Sequence, residues 1–238
     1  MARRLLYFRA VRLCTASPGR GTVLVTNRNQ RGVTLIEMMV VVGIIGVLSA
    51  LAVPQLRVWR DDTRVRSSAR SVADAFHVAR TEAMRTGNVH IVFLGGDIGF
   101  NPLVDGNGNT IIRVLNDGRP GTGDCVVTGS EPVRDYILET GVTLGVTNGV
   151  APAPSDTGVG ATPVTFTQPR AGNPAAEWVA FGPDGVPAGV SNTCGLGRIG
   201  SGGGAAYVTN GRVDYAVSLT QLGAVRASAW EQEEGAWQ

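Results

Sequence analysis

The sequence contains no lysine, so all 21 of its basic residues are arginine. It has two histidines, His77 and His90, and neither belongs to a His-Glu-x-x-His pattern of the kind that binds zinc. A Gly-x-Ser-x-Gly turn and a phosphate-binding loop are also missing from the sequence. Because the usual groups of hydrolases, metalloproteases and nucleotide-using enzymes are lacking, the sequence predicts that the protein is not an enzyme and uses no cofactor.

Acidic and basic residues are distributed unevenly, although the formal net charge is only +2. Residues 1–32 carry seven arginines and no acid, whereas residues 87–238 carry 14 acids and seven arginines, a net charge of −7. Proteins that bind nucleic acid broadly need a basic surface. We therefore do not expect the C-terminal part of the chain to bind nucleic acid.

An apolar run from Val33 to Pro54 has 22 residues and a single charge, Glu37. As a helix it would extend about 33 Å, close to the thickness of the hydrocarbon core of a bilayer. A carboxylate within such a segment costs about 2.5–3.5 kcal/mol on insertion scales. The run therefore predicts a membrane-spanning helix in which Glu37 requires a partner.

A cleaved signal peptide or a simple signal anchor is the alternative interpretation of this run. The apolar core of a secretory signal is usually about 7–15 residues long. This run is longer, contains Glu37 and is followed by further helical periodicity. These differences favour a helix that is retained in the mature protein.

The start of the apolar run carries a specific pattern. Residues 32–37 read Gly-Val-Thr-Leu-Ile-Glu, followed by a Val/Ile-rich stretch and then Ala-Val-Pro at 52–54. This segment resembles the processing site and N-terminal helix of type IV pilins and type II secretion pseudopilins, although Phe or Met is more usual at the position of Val33. The resemblance implies that residues 1–32 are a basic prepilin leader, that prepilin peptidase cuts between Gly32 and Val33, and that the new N-terminus at Val33 is methylated.

The same resemblance assigns assembly roles to Thr34, Glu37 and Pro54. In a filament the Glu37 carboxylate would neutralise the N-terminal amine of a neighbouring subunit, and each of these charges is costly alone in apolar surroundings. Pro54 would mark a break where the helix loosens as the subunit leaves the bilayer.

The resemblance also implies partners and a location. The partners are other pilin or pseudopilin subunits, prepilin peptidase and an inner-membrane assembly platform. The chain would cross the inner membrane once, with its basic leader in the cytoplasm and its head in the periplasm, and would then move into a filament at the cell surface.

The predicted leader is long for this family. No methionine lies between Met1 and Met38, so a start at Val23 or Val25, encoded by a GTG codon, would give a shorter leader. We therefore attach no function to residues 1–24.

A second helical pattern follows the apolar run. Apolar residues recur at steps of three, four or seven and form one stripe that we expect to pack on a sheet. Gly87 predicts the helix end, so a single helix of about 80 Å is expected from Val33 to Thr86, with a membrane half at 33–56 and an amphipathic half at 57–86. The stripe consists of Val58, Val65, Ala69, Val72, Phe76, Ala79 and Ala83.

Short β-like runs separated by Gly, Pro, Asn and Asp fill residues 87–238. Long loops are expected at 151–162 and 195–204, and a frayed tail is expected at 231–238. The predicted fold class is α+β, a pilin-like fold in which the long N-terminal helix packs on an antiparallel β-sheet head. The predicted strands are 89–94, 110–115, 136–138, 142–146, 164–167, 178–181, 205–209, 212–219 and 224–230.

Short segments of the head resemble the GspH/FimT-like group of minor pilins and minor pseudopilins. They are an Ala-Arg-x-Glu-Ala segment at 79–83, a Phe-x-Pro-x-Gly turn at 181–185, and a C-terminal hairpin with Gly-Arg-Val at 211–213 and Gly-Ala-Val-Arg at 223–226. The resemblance implies a minor pilin of a type IV pilus or, as an alternative, an H-type minor pseudopilin of type II secretion. A DNA-uptake receptor head is a weaker alternative, because Asp214 stands where some relatives have a second arginine.

Three cysteines are present, and Cys14 lies in the predicted leader. This leaves Cys125 and Cys194 as an even pair in the exported part, where an oxidising compartment favours a disulfide. Two free buried thiols are the alternative. With no histidine nearby, the two cysteines do not predict a metal site.

Residues 105–109 read Asp-Gly-Asn-Gly-Asn, with oxygen-bearing side chains at alternate positions, like the start of a calcium loop. The glycine at the sixth position and the glutamate at the twelfth position of such a loop are missing. A hairpin turn rich in Asn and Gly is therefore the preferred interpretation. Asp105, Asn107 and Asn109 are only weak metal candidates.

Overall fold

The computed structural model describes residues 32–128, 131–148, 152–153, 162–172 and 174–238. The chain divides into two compact units, Met1–Leu48 and Ser49–Gln238. A single helix, α1 (Leu35–Thr86), begins in the first unit and ends in the second. Apart from Gly32, the predicted leader lies outside the described residues.

Both ends of α1 follow from local sequence signals. At the start, Thr34 Oγ1 accepts a hydrogen bond from the backbone N–H of Glu37 at 3.3 Å, as an N-cap residue does. At the end, Gly87 adopts a positive φ of 72°, and its N–H donates to the carbonyl of Ala83 at 3.0 Å. The helix therefore ends at Thr86, where the sequence predicted its end.

The backbone of α1 is continuous through Pro54, so the predicted break at this residue is wrong. A proline removes one backbone hydrogen bond from a helix. The turns on both sides of Pro54 nevertheless keep the helical path, and the helix runs without interruption from Leu35 to Thr86.

The apolar stripe of α1 is buried from Val65 onwards, which confirms that part of the prediction. Six of its seven members are at most 1% exposed, whereas Val58 is 47% exposed. The ring of Phe76 packs against the rings of Phe166 and Phe181, with centroids 5.9 Å and 6.4 Å apart. Burial of one such ring contributes about 2–3 kcal/mol. The C-terminal part of α1 is therefore an element of the hydrophobic core of the second unit.

The second unit contains ten described strands in two antiparallel sheets, where the sequence predicted one sheet. The strands are β1 (His90–Leu94), β2 (Ile111–Asn116), β3 (Val133–Ile137), β4 (Thr143–Leu144), β5 (Trp178–Phe181), β6 (Pro187–Ala188), β7 (Gly204–Thr209), β8 (Asp214–Leu219), β9 (Val225–Glu231) and β10 (Ala236–Trp237).

Each sheet has five strands. The first has the order β3-β2-β1-β5-β6, and the second has the order β10-β9-β8-β7-β4. The predicted strand at 164–167 is reduced to isolated bridges, from Val164 to Ala206 and from Thr167 to Ala175. The two sheets and the buried side of α1 share one large cluster of core residues.

Strand β8 is deeply buried. Its polar and apolar residues alternate, which is typical of a half-buried strand, but five of its six residues are buried. Its polar members are accommodated because they have partners: Asp214 accepts a hydrogen bond from the backbone N–H of Thr147 at 3.1 Å, and Ser218 Oγ donates to the carbonyl of Arg226 at 3.4 Å. Hydrogen bonding thus allows a polar residue at an interior position.

The C-terminal residues form a hairpin, so the predicted frayed tail is wrong. β10 pairs with β9, and Gln238 and Ala229 exchange two backbone hydrogen bonds, at 2.7 Å and 2.9 Å. The ring of Trp237 packs on Trp230 and Tyr207, with centroids 5.2 Å and 5.4 Å apart. Aromatic packing holds this segment against the second sheet.

The two predicted loops have different outcomes. Residues 195–203 lack regular strands, and β7 then begins at Gly204. The other predicted loop, 151–162, falls mostly outside the described residues.

Candidate functional site

The N-terminal part of α1 has an apolar surface that no other described part of the chain covers. Among the described residues, one helix is long and apolar enough to cross a membrane, and its most apolar 18-residue window has a mean hydropathy of 2.5 with none of the window buried. Leu35 is 78% exposed and Leu51 is 69% exposed. An apolar surface of this extent requires lipid or other apolar helices around it.

Glu37 is the charged residue within this surface. Its backbone N–H is bonded to Thr34 Oγ1, but its exposed carboxylate makes no hydrogen bond or ion pair in the part of the chain that the structure describes. In apolar surroundings an ionised carboxylate needs a partner of opposite charge. Such a partner has to come from outside the described residues.

Thr34 has a local role that the assignment from family resemblance did not include. Thr34 and Glu37 have the spacing of a capping box, in which a Thr at the N-cap position is followed three residues later by Glu. The observed bond from the Glu37 N–H to Thr34 Oγ1 is one half of that arrangement. The Thr-x-x-Glu spacing was the sequence signal that could have identified it.

Gly32 and Val33 lie directly before α1 in a segment without regular structure. Apart from Gly32 and its two chain neighbours, no atom of the described residues lies within 4 Å of the position that a Cβ on Gly32 would occupy. Val33 is 63% exposed. The peptide bond between these residues is therefore open to an approaching protein.

Cys125 and Cys194 are joined as a disulfide, with their Cα atoms 5.6 Å apart. Both residues adopt a positive φ, 58° for Cys125 and 61° for Cys194. The buried Asp117 lies beside them, and its Oδ1 accepts a hydrogen bond from the Cys125 N–H at 2.7 Å. Burial raises the pKa of the Asp117 carboxyl, although the bond from Cys125 opposes that effect.

Asp105, Asn107 and Asn109 come together in a turn. Asp105 Oδ1 accepts hydrogen bonds from the N–H groups of Asn107 at 2.8 Å and Asn109 at 2.7 Å. The side-chain amide of Asn109 donates to Asp105 Oδ2 at 2.9 Å, and it holds the pKa of that carboxyl below its usual value. The oxygens of Asp105 thus close a hairpin turn, between the bridged residues Val104 and Thr110.

Three of the family-like segments meet at Arg80. Its Nη1 donates to the carbonyl of Gly223 at 2.8 Å. A Cβ added at Gly185 would lie 2.7 Å from Met84 Sδ and 3.4 Å from Arg80 Nε, and one at Gly223 would lie 3.0 Å from the Gly185 carbonyl oxygen. Glycine at these two positions therefore allows two turns to approach the helix closely. The spacing in the sequence did not indicate this contact.

His77 and His90 have different surroundings. His77 is exposed on α1, and its carbonyl accepts a bond from Thr81 Oγ1 at 2.7 Å. His90 is buried in β1, and burial lowers the pKa of its imidazole.

His90 also lines a cavity of about 260 Å³, which we call the Arg134 cleft. Its lining residues are Val78, Glu82, Arg85, Thr86, His90, Val114, Asn116, Pro132, Val133 and Arg134.

Asp214 stands at the position where some relatives have a second arginine, but it lies in the interior of the protein and not at its surface. It is 1% exposed, and its carboxylate accepts bonds from Thr147, Asn148 and Thr209. Arg212 is exposed and lies 3.9 Å from Asp61. The element at 211–214 thus presents one arginine beside an acid, which is a weak electrostatic feature for binding a polyanion.

Comparisons with known proteins agree with these features. The family model described as the prokaryotic N-terminal methylation motif matches residues 27–53. Two fimbrial proteins of Pseudomonas aeruginosa are each 37% identical to the chain over 106 residues, which is 42% of this chain and 68% of the relative. The chain belongs to the type IV pilin-like superfamily.

A further relative of this pilin-like chain is the pilin-like protein PilA1 of Thermus thermophilus. It is 41% identical over 83 residues, which is 34% of this chain and 51% of the relative. No solved structure matches the chain significantly. The relatives are named as fimbrial or pilin-like proteins and not as enzymes, in agreement with the sequence.

Proposed function

We propose that the chain is a minor pilin, processed by prepilin peptidase and assembled into a type IV pilus, or priming one. The observation that carries this proposal is the exposed carboxylate of Glu37, which has no partner among the described residues and lies in an apolar helix that starts shortly after Gly32. The match of the methylation motif across residues 27–53 supports the same processing site.

Processing generates a positively charged partner for Glu37, whose carboxylate has none among the described residues. Cleavage between Gly32 and Val33 creates a positively charged α-amine, four residues before Glu37. The methylated amine of one subunit is placed against the Glu37 carboxylate of a neighbour. Two opposite charges in a dry helix bundle attract strongly, and each is costly alone. The pair therefore fixes the register between neighbouring subunits.

Before assembly, the same apolar surface anchors the precursor in the inner membrane, with the head in the periplasm. On assembly, lipid contacts of residues 33–53 are exchanged for contacts with the helices of other subunits. Gly43 and Gly46 favour this exchange, because small residues let helices approach closely.

The pilus is favoured over the type II secretion alternative by the names of the relatives, which are fimbrial and pilin-like. An H-type minor pseudopilin would share the processing site and Glu37. Deletion of the encoding gene separates the two, because loss of pili with normal protein secretion supports the pilus role. Loss of secretion with normal pili would support the pseudopilin.

A DNA-uptake receptor has little support in the head. Residues 87–238 carry a net charge of −7, and Asp214 is occupied by hydrogen bonds in the interior. A gel-shift measurement with the purified chain at low salt tests this function, and we expect no shift.

The proposed function is tested by intact-mass and N-terminal analysis of the chain recovered from purified pili. We expect the sequence to start at Val33 and to carry one added methyl group. A retained leader, or a start at another residue in filament-derived material, would contradict the proposal.

A further inference from the structure

In the part of the chain that the structure describes, strand β3 forms an open edge of the first sheet. It is the outermost strand on its side, and four of its five residues are exposed. On its inner side, the N–H of Asn116 donates to the carbonyl of Pro132 at 3.2 Å, and the N–H of Leu138 donates to the carbonyl of Thr110 at 2.9 Å. The strand between these two bonded residues is paired along its whole length with β2.

The positions of these bonds determine which backbone groups of β3 face outwards. Successive residues of an antiparallel strand direct their N–H and C=O groups to opposite sides. Since residues 132 and 138 bond to β2, the other even-numbered residues of β3 do so as well. Val133, Asp135 and Ile137 therefore direct their N–H and C=O groups away from the sheet, and these can pair with an added strand.

A cationic cleft adjoins this edge. The Arg134 cleft contains two arginines and one acid, and that acid is already committed, because Glu82 Oε2 accepts from Arg85 Nε at 2.8 Å. Within the described residues, the Arg134 guanidinium makes no hydrogen bond or ion pair. The cleft therefore has an uncompensated positive charge in a head whose net charge is −7.

Arg134 also occupies the side of the sheet on which this cleft lies. It is directly opposite Val114 in the register of β2 and β3, and Val114 lines the cleft. The neighbouring pair, Arg113 and Asp135, forms two hydrogen bonds of 2.7 Å on the other side of the sheet. A side chain of an added strand opposite Arg134 would therefore lie at the mouth of the cleft.

A second copy of β3 is a poor partner for this edge. Full overlap of two antiparallel β3 strands would place Asp135 opposite Asp135 of the other copy. Like charges directly opposite one another are destabilising. This repulsion favours a different strand as the partner.

We propose that β3 is a docking edge for an extended segment of another filament subunit, with a carboxylate opposite Arg134 and apolar side chains opposite Val133 and Ile137. This inference rests on the proposed function, since it takes a filament subunit as the partner. Backbone hydrogen bonds from three outward-facing residues supply affinity, and the Arg134 cleft selects an acidic side chain. The β3 edge thereby connects the heads of neighbouring subunits, whereas the N-terminal part of α1 connects their helices.

The binding chemistry can be tested without filaments. The probe is the peptide acetyl-Thr-Val-Phe-Thr-Glu-Val-Thr-amide, with a matched peptide in which Gln replaces Glu, each added to the full-length chain in detergent micelles. In amide NMR spectra we expect shifts at Val133, Asp135 and Ile137. The Gln peptide should bind about threefold more weakly, and Arg134→Gln should remove that difference. Absence of shifts at these amides, or equal binding of the two peptides, would overturn the proposal.

The role in filaments is tested by blocking the outward-facing edge. Ile137→Pro removes an N–H that faces away from β2, so the β2–β3 pairing is retained. Ile137→Val is the matched variant, because it keeps the N–H and a β-branched side chain. Loss of one backbone hydrogen bond corresponds to about fivefold in an equilibrium. We therefore expect pilus incorporation of Ile137→Pro to fall at least about fivefold relative to Ile137→Val.

Two controls make this result interpretable. A thermal unfolding transition like that of the unmodified chain establishes that Ile137→Pro is folded, and Arg134→Glu supplies an independent variant that should also reduce incorporation. If the unmodified chain is found outside pili and unprocessed, the proposed function fails. If it is processed and incorporated, and Ile137→Pro and Arg134→Glu enter pili equally well, only the docking edge is overturned.

Discussion

Residues 35–53 and residues 65–83 belong to the same helix, yet the apolar side chains of the first segment are exposed and those of the second are buried. In the first segment Leu35 is 78% exposed, whereas in the second the stripe residues are at most 1% exposed. Both segments are rich in apolar residues, but the first is apolar on every side and the second on one side only. A helix that is apolar all round needs lipid or other helices, and a helix with one stripe needs a sheet.

The comparison shows that one continuous helix can serve two kinds of partner. The apolar stripe of the second segment is buried within the chain against aromatic and aliphatic residues of the head. The first segment has no such cover among the described residues, and its one acid is without a partner there. Stability of the fold should therefore depend on the second segment, and assembly should depend on the first.

Glu37→Gln should have the largest effect and acts only on the first segment. Without the acid, the α-amine of a neighbouring subunit would be left unpaired, at a cost of about 3–5 kcal/mol. We expect pilus incorporation to fall at least about 100-fold while cleavage after Gly32 continues. The measurement is the ratio of protein in sheared pili to processed protein in membranes. Asp74→Asn, an exposed acid on the second segment, is the matched control and should assemble normally. Normal incorporation of Glu37→Gln would count against the charge pair.

Phe76→Ala tests the second segment, where we expect an effect on the free energy of unfolding. Phe76 is fully buried and packs on two further rings, so its truncation should lower the free energy of unfolding by about 3–5 kcal/mol. Ile45→Ala, at a position that is 56% exposed on the first segment, should leave that free energy unchanged. Chemical denaturation of the chain in detergent measures both. Equal destabilisation by the two substitutions would remove the distinction between the segments.

Reduction of the disulfide should also affect the head alone. Cys125 and Cys194 are 69 residues apart in the sequence, and cross-linking a loop of that length contributes about 4 kcal/mol in the chain-entropy model. We expect a linked peptide pair in non-reducing mass spectrometry and a lower unfolding midpoint for the double Cys→Ser variant. Cys14→Ser in the uncleaved chain is the control and should unfold like the uncleaved unmodified chain. Free thiols at both Cys125 and Cys194 in protein purified from pili would contradict the prediction.

Asp117→Asn should have the smallest effect, and the size of this effect depends on pH. A carboxyl whose pKa is raised on folding stabilises the fold when protonated, and this contribution is lost as the pH rises through the folded-state pKa. Asn remains neutral and can still accept the bond from the Cys125 N–H. We therefore expect Asp117→Asn to raise the unfolding midpoint at pH 7 and to lose this advantage below about pH 4. A lower midpoint at pH 7 would show that the carboxylate is itself favourable.

Several elements could be predicted because their determinants are local. The end of α1 at Thr86 follows from Gly87, and strand β5 has the predicted bounds, 178–181. The burial of the stripe from Val65 onwards follows from helical periodicity. In each case neighbouring residues alone supply the signal.

Other elements could not be predicted because their partners are distant in the sequence. The tail at 231–238 becomes a hairpin through contacts of Trp237 with Trp230 and Tyr207. The hydrogen bond between Arg80 and Gly223 connects residues that are 143 positions apart in the sequence. Pro54 indicated a break from its lack of an N–H, but the helix is continuous across it.

The sequence by itself determined the apolar helix, its acid, the Gly-Val-Thr-Leu-Ile-Glu pattern at its start and the amphipathic stripe after it, because period and composition are carried by neighbouring residues. The tertiary structure decided the division into two sheets, the close approach of two glycine turns to Arg80, and the outward-facing edge of β3 beside Arg134, whose guanidinium has no ion pair among the described residues. These features depend on which strands pair and which side chains meet across long stretches of chain, and that choice is made by packing rather than by local preference.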